Sequence, residues 1–139
     1  MNTFIARCHC GNLQVRFETA KEPAELQPRS CQCTFCTRHR TRNIADPEGK
    51  ALISVRDAAQ LSRYQWAARG AEFLVCRTCG GYAGALLTVE GRGYMTVNIN
   101  LMDDAARFTL PSLPVSYDAE TPDDRRKRRE SGWTPAEFA

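Results

Sequence analysis

Seven cysteines in three tight groups are the residues of this 139-residue chain best suited to chemistry. Cys8-His9-Cys10-Gly11 is a C-x-C-G, Cys31-Gln32-Cys33-Thr34-Phe35-Cys36 a C-x-C-x-x-C, and Cys76-Arg77-Thr78-Cys79-Gly80-Gly81 a C-x-x-C-G-G. A C-x-x-C turn aims two sulfurs at one ion, and its backbone N–H groups can bond to them. A glycine directly after the second cysteine permits the positive φ that such turns often need, and Gly11 and Gly80 hold that place. The count is odd, and Met1 to Ile5 has neither a basic start nor a long apolar stretch. No secretory signal is therefore expected, and the location expected is cytoplasmic, where thiols stay reduced. Clustered cysteines in that setting read as metal ligands rather than disulfides.

Structural zinc takes four ligands in a closed tetrahedron. The two glycine-followed pairs, Cys8/Cys10 and Cys76/Cys79, supply four, and one ion there would tie the first strand to the later hairpin. Cys31, Cys33 and Cys36 remain as a compact triplet. Three protein ligands with a vacant fourth position is the pattern of a catalytic zinc, where a water or an incoming thiol can bind and ionise. The competing reading closes this second site with His39, three residues after Cys36. His9, between two ligands, should point away from their ion.

Positioning these groups falls to short strands. Leu13 to Phe17 alternates apolar and polar residues, Leu52 to Val55 is a second candidate, and Glu72 to Val75 runs straight into a cysteine pair. Ala85 to Val89, a Gly-rich turn over Glu90 to Gly93, and Tyr94 to Ile99 read as a hairpin. Helix is scarce. Asp57 to Leu61 suggests one turn. Thr121-Pro122-Asp123-Asp124 is a start signal, with Thr at the N-cap and Pro at the first helical position, for a helix ending at Gly132. The stretch from Pro111 to Asp118, with its two prolines, reads as extended surface chain. The expected fold is mainly β, built from antiparallel sheets, as a single domain over 1–139 with a partly extended tail at 111–139.

Composition excludes several classes. Hydrophobic residues make up 42% and charged residues 25%, as in ordinary globular chains, and no apolar run is long enough to cross a membrane. The formal charge of +3 would be cancelled by seven thiolates on two Zn²⁺ ions, so it argues for no nucleic-acid partner. The run Arg125 to Arg129 is flanked by Asp123, Asp124 and Glu130 and reads as a solvated helix face. Arg38, Arg40 and Arg42 read either as a solvated edge or as a grip on carboxylates. Trp66 and Trp133 read as core or anchoring residues, and Met95 and Met102 as packing. Exposed hairpin edges leave room for a homodimer.

The order Cys8-x-Cys10-Gly11, Cys31-x-Cys33-x-x-Cys36, Cys76-x-x-Cys79-Gly80 resembles the glutathione-dependent formaldehyde-activating enzyme family, also called the GFA or CENP-V/GFA domain. Val97-Asn98-Ile99 and Trp133-Thr134-Pro135 match it too, and the resemblance covers nearly the whole chain. It implies an Mss4-like β-tent around zinc. The outer pairs Cys8, Cys10, Cys76 and Cys79 would hold a structural ion, and Cys31, Cys33 and Cys36 a catalytic one. It also implies carbon–sulfur lyase chemistry that joins glutathione and formaldehyde. Under that reading the partners are a small thiol such as glutathione and an aldehyde. The alternative is a non-catalytic zinc-binding module or a carrier of thiol adducts.

Overall fold

Alternation in Leu13, Val15 and Phe17 buries all three side chains completely. In the computed structural model, which describes residues 1–67 and 70–139, they lie on the second of eleven strands. These are β1 (Asn2–Arg7), β2 (Leu13–Thr19), β3 (Arg29–Cys31), β4 (Asn43–Ile44), β5 (Lys50–Val55), β6 (Leu61–Tyr64), β7 (Glu72–Cys76), β8 (Tyr82–Val89), β9 (Arg92–Asn98), β10 (Leu113–Val115) and β11 (Thr134–Phe138). Two helices join them, α1 (Thr34–His39) and α2 (Pro122–Gly132), with short 3₁₀ turns at Pro23–Glu25, Ala58–Gln60, Ile99–Leu101 and Ala105–Arg107. The chain is mainly β with little helix, as its sequence leads one to expect. No helix among the described residues is long and apolar enough to cross a membrane.

The sheet forks at β9. One edge of β9 pairs along its length with β8, which continues to β7 and β6. The other edge is shared: β11 takes Gly93 to Met95, and β4 takes Val97 and Asn98. From β11 the sheet runs through β5 and β2 to β1, and from β4 through β3 to β10. Most pairs are antiparallel, but β11 joins β5 and β10 joins β3 in parallel, so the sheet is mixed. The C-terminal tail supplies both parallel strands, and its last strand is internal to the sheet rather than laid on the surface. Both edges of the β8–β9 hairpin are thereby covered. The turn between them is tighter than expected, with only Glu90 and Gly91 at positive φ, the geometry of a two-residue hairpin loop.

Alternation along β7 divides the interior in two. Leu74 and Cys76 face the main core of Phe4, Phe17, Ile53, Met95 and their neighbours. Phe73 and Val75 face a smaller cluster around Cys33, Cys36 and Tyr82. Two faces of one strand thus separate the two cysteine groups.

A buried carboxylate closes the main core near the C-terminus. Asp46 is 1% exposed. The Thr19 hydroxyl donates to its Oδ2 at 2.5 Å, the Glu48 N–H to its Oδ1 at 3.0 Å, and Lys21 Nζ lies 3.5 Å away. Its own N–H donates to Thr134 Oγ1 at 2.8 Å, which pins the start of β11. Burial opposes ionisation, but the Thr19 hydroxyl, the Glu48 N–H and the Lys21 ammonium outweigh it and hold the carboxyl below the usual carboxylate range. A depressed folded value means that the stabilisation is fully present above about pH 4 and is lost as pH falls through the lower folded value. Asp46→Asn is expected to cost about 1–3 kcal/mol at pH 7. Denaturant midpoints of both proteins should show the gap narrowing below about pH 4.

Candidate metal centres

The first cysteine group joins the turn after β1 to the turn after β7. β1 ends in a turn that carries Cys8 and Cys10, and β7 ends in one that carries Cys76 and Cys79. Gly11 has φ 83° and Gly80 φ 81°, the left-handed conformation that the cysteine turns require. The Gly11 N–H donates to the Cys8 carbonyl and the Gly80 N–H to the Cys76 carbonyl, which closes both turns. All four sulfurs lie within 4.8 Å of one another. Cys8 and Cys10 Sγ are 3.7 Å apart, and Cys10 and Cys76 Sγ 3.5 Å. A tetrahedron with Zn–S bonds of about 2.3 Å has edges of about 3.8 Å, so the spacing fits four thiolates on one ion. It is far too long for a disulfide at about 2.05 Å, and all seven cysteines are free.

The thiols at this centre are unequal. Burial raises Cys79, but the N–H groups of Cys10 and Gly81 outweigh it and bring it down to about 6. At Cys10 the Asn12 N–H favours the thiolate, but desolvation and the neighbouring sulfurs push it up to about 11. The Leu13 N–H donates to Cys8 Sγ at 3.2 Å. Such N–H···S bonds orient a thiolate and spread its charge.

Gly81 is where the two turns touch. A Cβ there would lie 2.8 Å from Cys8 Cβ, closer than such atoms approach, and a tight 3.2 Å from Cys8 Cα. Gly81→Ala is expected to push the two turns apart and to lower metal affinity about 10–100-fold, measurable by competition with a coloured chelator.

The second group sits on the other side of β7. Cys31 ends β3, Cys33 caps α1, and Cys36 lies in its first turn, with the Cys36 N–H donating to Cys33 Sγ at 3.4 Å. The three sulfurs lie within 4.8 Å of one another. Their mutual hydrogen bonding raises both Cys31 and Cys36 above the ordinary thiol range, so as free thiols they would hold their protons. His39 takes no part. Its Nδ1 lies 3.0 Å from the Phe35 carbonyl, its ring stacks on Phe35 at 4.1 Å, and neither ring nitrogen joins the sulfur group. His9 is exposed. Among the described residues, the triplet has three ligating side chains and no fourth.

The three sulfurs line a cleft of about 330 Å³. Phe73, Tyr82 and Trp133 supply its aromatic wall, and Lys21, Arg29, Arg128 and Arg129 its cations. Arg38, Arg40 and Arg42 do not line it. Arg38 bends back to the Thr34 carbonyl, Arg42 bonds Asn100 Oδ1 at 2.8 Å, and Arg40 takes a left-handed φ of 50° where it caps α1.

The basic run on α2 is divided rather than uniformly solvated. Arg126 and Lys127 face solvent and pair with Asp123. Arg128 forms a two-pronged pair with Glu120 at 2.7 and 3.0 Å and lies 3.5 Å over the Tyr117 ring. Arg129 is 6% exposed and stacks on Trp133. Sequence reasoning missed Arg29, Asn43 and Tyr82, because their place in the cleft depends on strand pairing over long separations.

Fold and site together define a mainly β protein with two cysteine clusters, each able to hold a metal ion. No family model matches the chain, and no curated protein matches it. A crystal structure of a Rhodobacter sphaeroides protein from a structural-genomics programme is similar, with 26% identity and a TM-score of 0.59 over 81% of this chain and 99% of that one.

Proposed function

We propose that the chain is a zinc-dependent carbon–sulfur lyase-type enzyme, acting on adducts of a small thiol such as glutathione with formaldehyde or a related aldehyde. The supporting observation is the opening of Cys31, Cys33 and Cys36 into a cleft with no fourth ligating side chain. Zinc, when bound there, supplies a Lewis acid and a free coordination position at which a thiol ionises. The thiol sulfur donates a lone pair to the aldehyde carbon and a C–S bond forms. The C=O π pair moves to oxygen, which takes up a proton, and the thiol proton lost balances it. Splitting the hemithioacetal runs the same steps backwards, and neither direction needs an oxidant or a reductant.

The chain's own residues supply binding. Cations at the cleft suit the carboxylates of a glutathione-like thiol. Arg29 is exposed, and among the described residues it forms no ion pair or side-chain hydrogen bond, so its guanidinium is available. Arg29→Ala is expected to raise KM for glutathione about tenfold while leaving kcat nearly unchanged, as loss of uniform binding does. Steady-state kinetics separates the two constants.

A non-catalytic zinc module or an adduct carrier would also bind metal at these cysteines. Rate decides between the readings. The zinc-loaded protein should speed exchange between glutathione and formaldehyde, followed by NMR line exchange, beyond the uncatalysed reaction. An unaltered exchange rate would leave only the module or carrier.

A further inference from the structure

Two buried side-chain oxygens of residues lining the cleft have no hydrogen-bond partner within the protein. The Tyr82 hydroxyl and Asn43 Oδ1 are both buried with no hydrogen bond, and their residues are 3% and 8% exposed. Leaving a buried polar group unpaired costs about 1–3 kcal/mol, so each needs a reason. The Tyr82 ring packs against those of Phe35 and Phe73, with centroids 5.0 and 6.0 Å away.

The backbone aims Tyr82 deliberately. In β8, Gly84 pairs with Leu74, but Tyr82 pairs with Val75, so Ala83 is bulged out of register. The bulge reverses the alternation of faces. Ala83 and Leu86 face the main core, while Tyr82 and Ala85 both face the cysteine triplet. A regular strand would place Tyr82 on the same face as Leu86, in the core.

Asn98 brings the two residues to one point of β9. It is the ladder partner of Asn43, and its Nδ2 donates to the Tyr82 carbonyl at 2.9 Å. Tyr82 and Asn43 therefore flank the same stretch of β9 and line the same cleft as Cys31, Cys33 and Cys36. One is a hydroxyl donor and the other a carbonyl acceptor. A ligand carbonyl or ether could use only the donor. An alcohol hydroxyl uses both, because it accepts one bond and donates another.

We propose that Tyr82 and Asn43 form a hydroxyl-reading pair: in the cleft beside the cysteine triplet, Tyr82 donates to and Asn43 accepts from the hydroxyl of a hemithioacetal. The inference rests on the lyase reading and adds the groups that tell the adduct from a bare thiol. An aldehyde lacks the hydroxyl hydrogen, so Asn43 favours the adduct and Tyr82 serves both sides of the reaction.

The test uses the full chain with cobalt in place of zinc, whose visible bands report a thiol entering the open position. Two isosteric probes are titrated, 2-mercaptoethanol and 1-propanethiol, which differ in carrying a hydroxyl or a methyl. The unsubstituted protein should bind 2-mercaptoethanol about fivefold more tightly, the worth of a hydrogen bond. Tyr82→Phe and Asn43→Ala should each remove most of that preference while leaving 1-propanethiol binding unchanged. Absence of the preference in the unsubstituted protein, or its survival in both variants, overturns the pair and leaves the lyase reading standing. Failure of both thiols to move the bands overturns the open position itself, and the pair with it.

Discussion

Replacing Cys76 with serine is expected to lower the melting temperature by more than about 10 °C, a loss of about 4 kcal/mol or more. Cys76 is 1% exposed and Cys8 fully buried, and both belong to the main core. An ion held by Cys8, Cys10, Cys76 and Cys79 cross-links the β1–β2 end of the sheet to the β7–β8 branch. Structural zinc in small peptides is worth about 10–16 kcal/mol, comparable with the whole stability of a domain. The apolar core built on Phe4, Phe17, Ile53 and Met95 should keep some folded protein without it. Thermal melts with and without a chelator check the cause. The chelator should lower the unsubstituted protein towards the variant and should move the variant little further.

Cys33→Ser should behave in the opposite way. The expected result is one metal ion fewer per chain, exchange of thiol and aldehyde at the uncatalysed rate, and a melting temperature within a few degrees of the unsubstituted protein. The triplet arises from three consecutive local elements, the end of β3, the N-cap of α1 and its first turn, so an ion there ties together little distant chain. Its energetic worth is accordingly smaller. Elemental analysis, exchange kinetics and a melt on the same sample separate the outcomes. A variant that unfolds like Cys76→Ser would assign the triplet a structural role instead.

The chemistry of the chain could be read locally, because cysteine turns announce themselves within a few residues. Cys8/Cys10 and Cys76/Cys79 converge, and Cys31, Cys33 and Cys36 form a separate group. The Thr121 N-cap also follows local rules, with its hydroxyl accepting from the Asp124 N–H at 3.1 Å. What escaped reading is long-range. β11 contains Pro135, which argues against an internal strand, yet pairing opposite Tyr94 fits it between β5 and β9. The Ala83 bulge lies in an apolar run whose faces periodicity cannot assign, so Tyr82 could not be placed at the triplet. Arg128 and Arg129 looked solvated because a charge run carries no sign of which turn meets a neighbour. Trp133 and Tyr117 supply that contact.

The most direct measurement is the metal-to-protein ratio of the reduced, metal-reconstituted chain, taken beside the Cys33→Ser variant. Two ions per chain, falling to one in the variant, is the expected result. One ion in both proteins would contradict the account, as would sulfurs joined to each other with no ion at all.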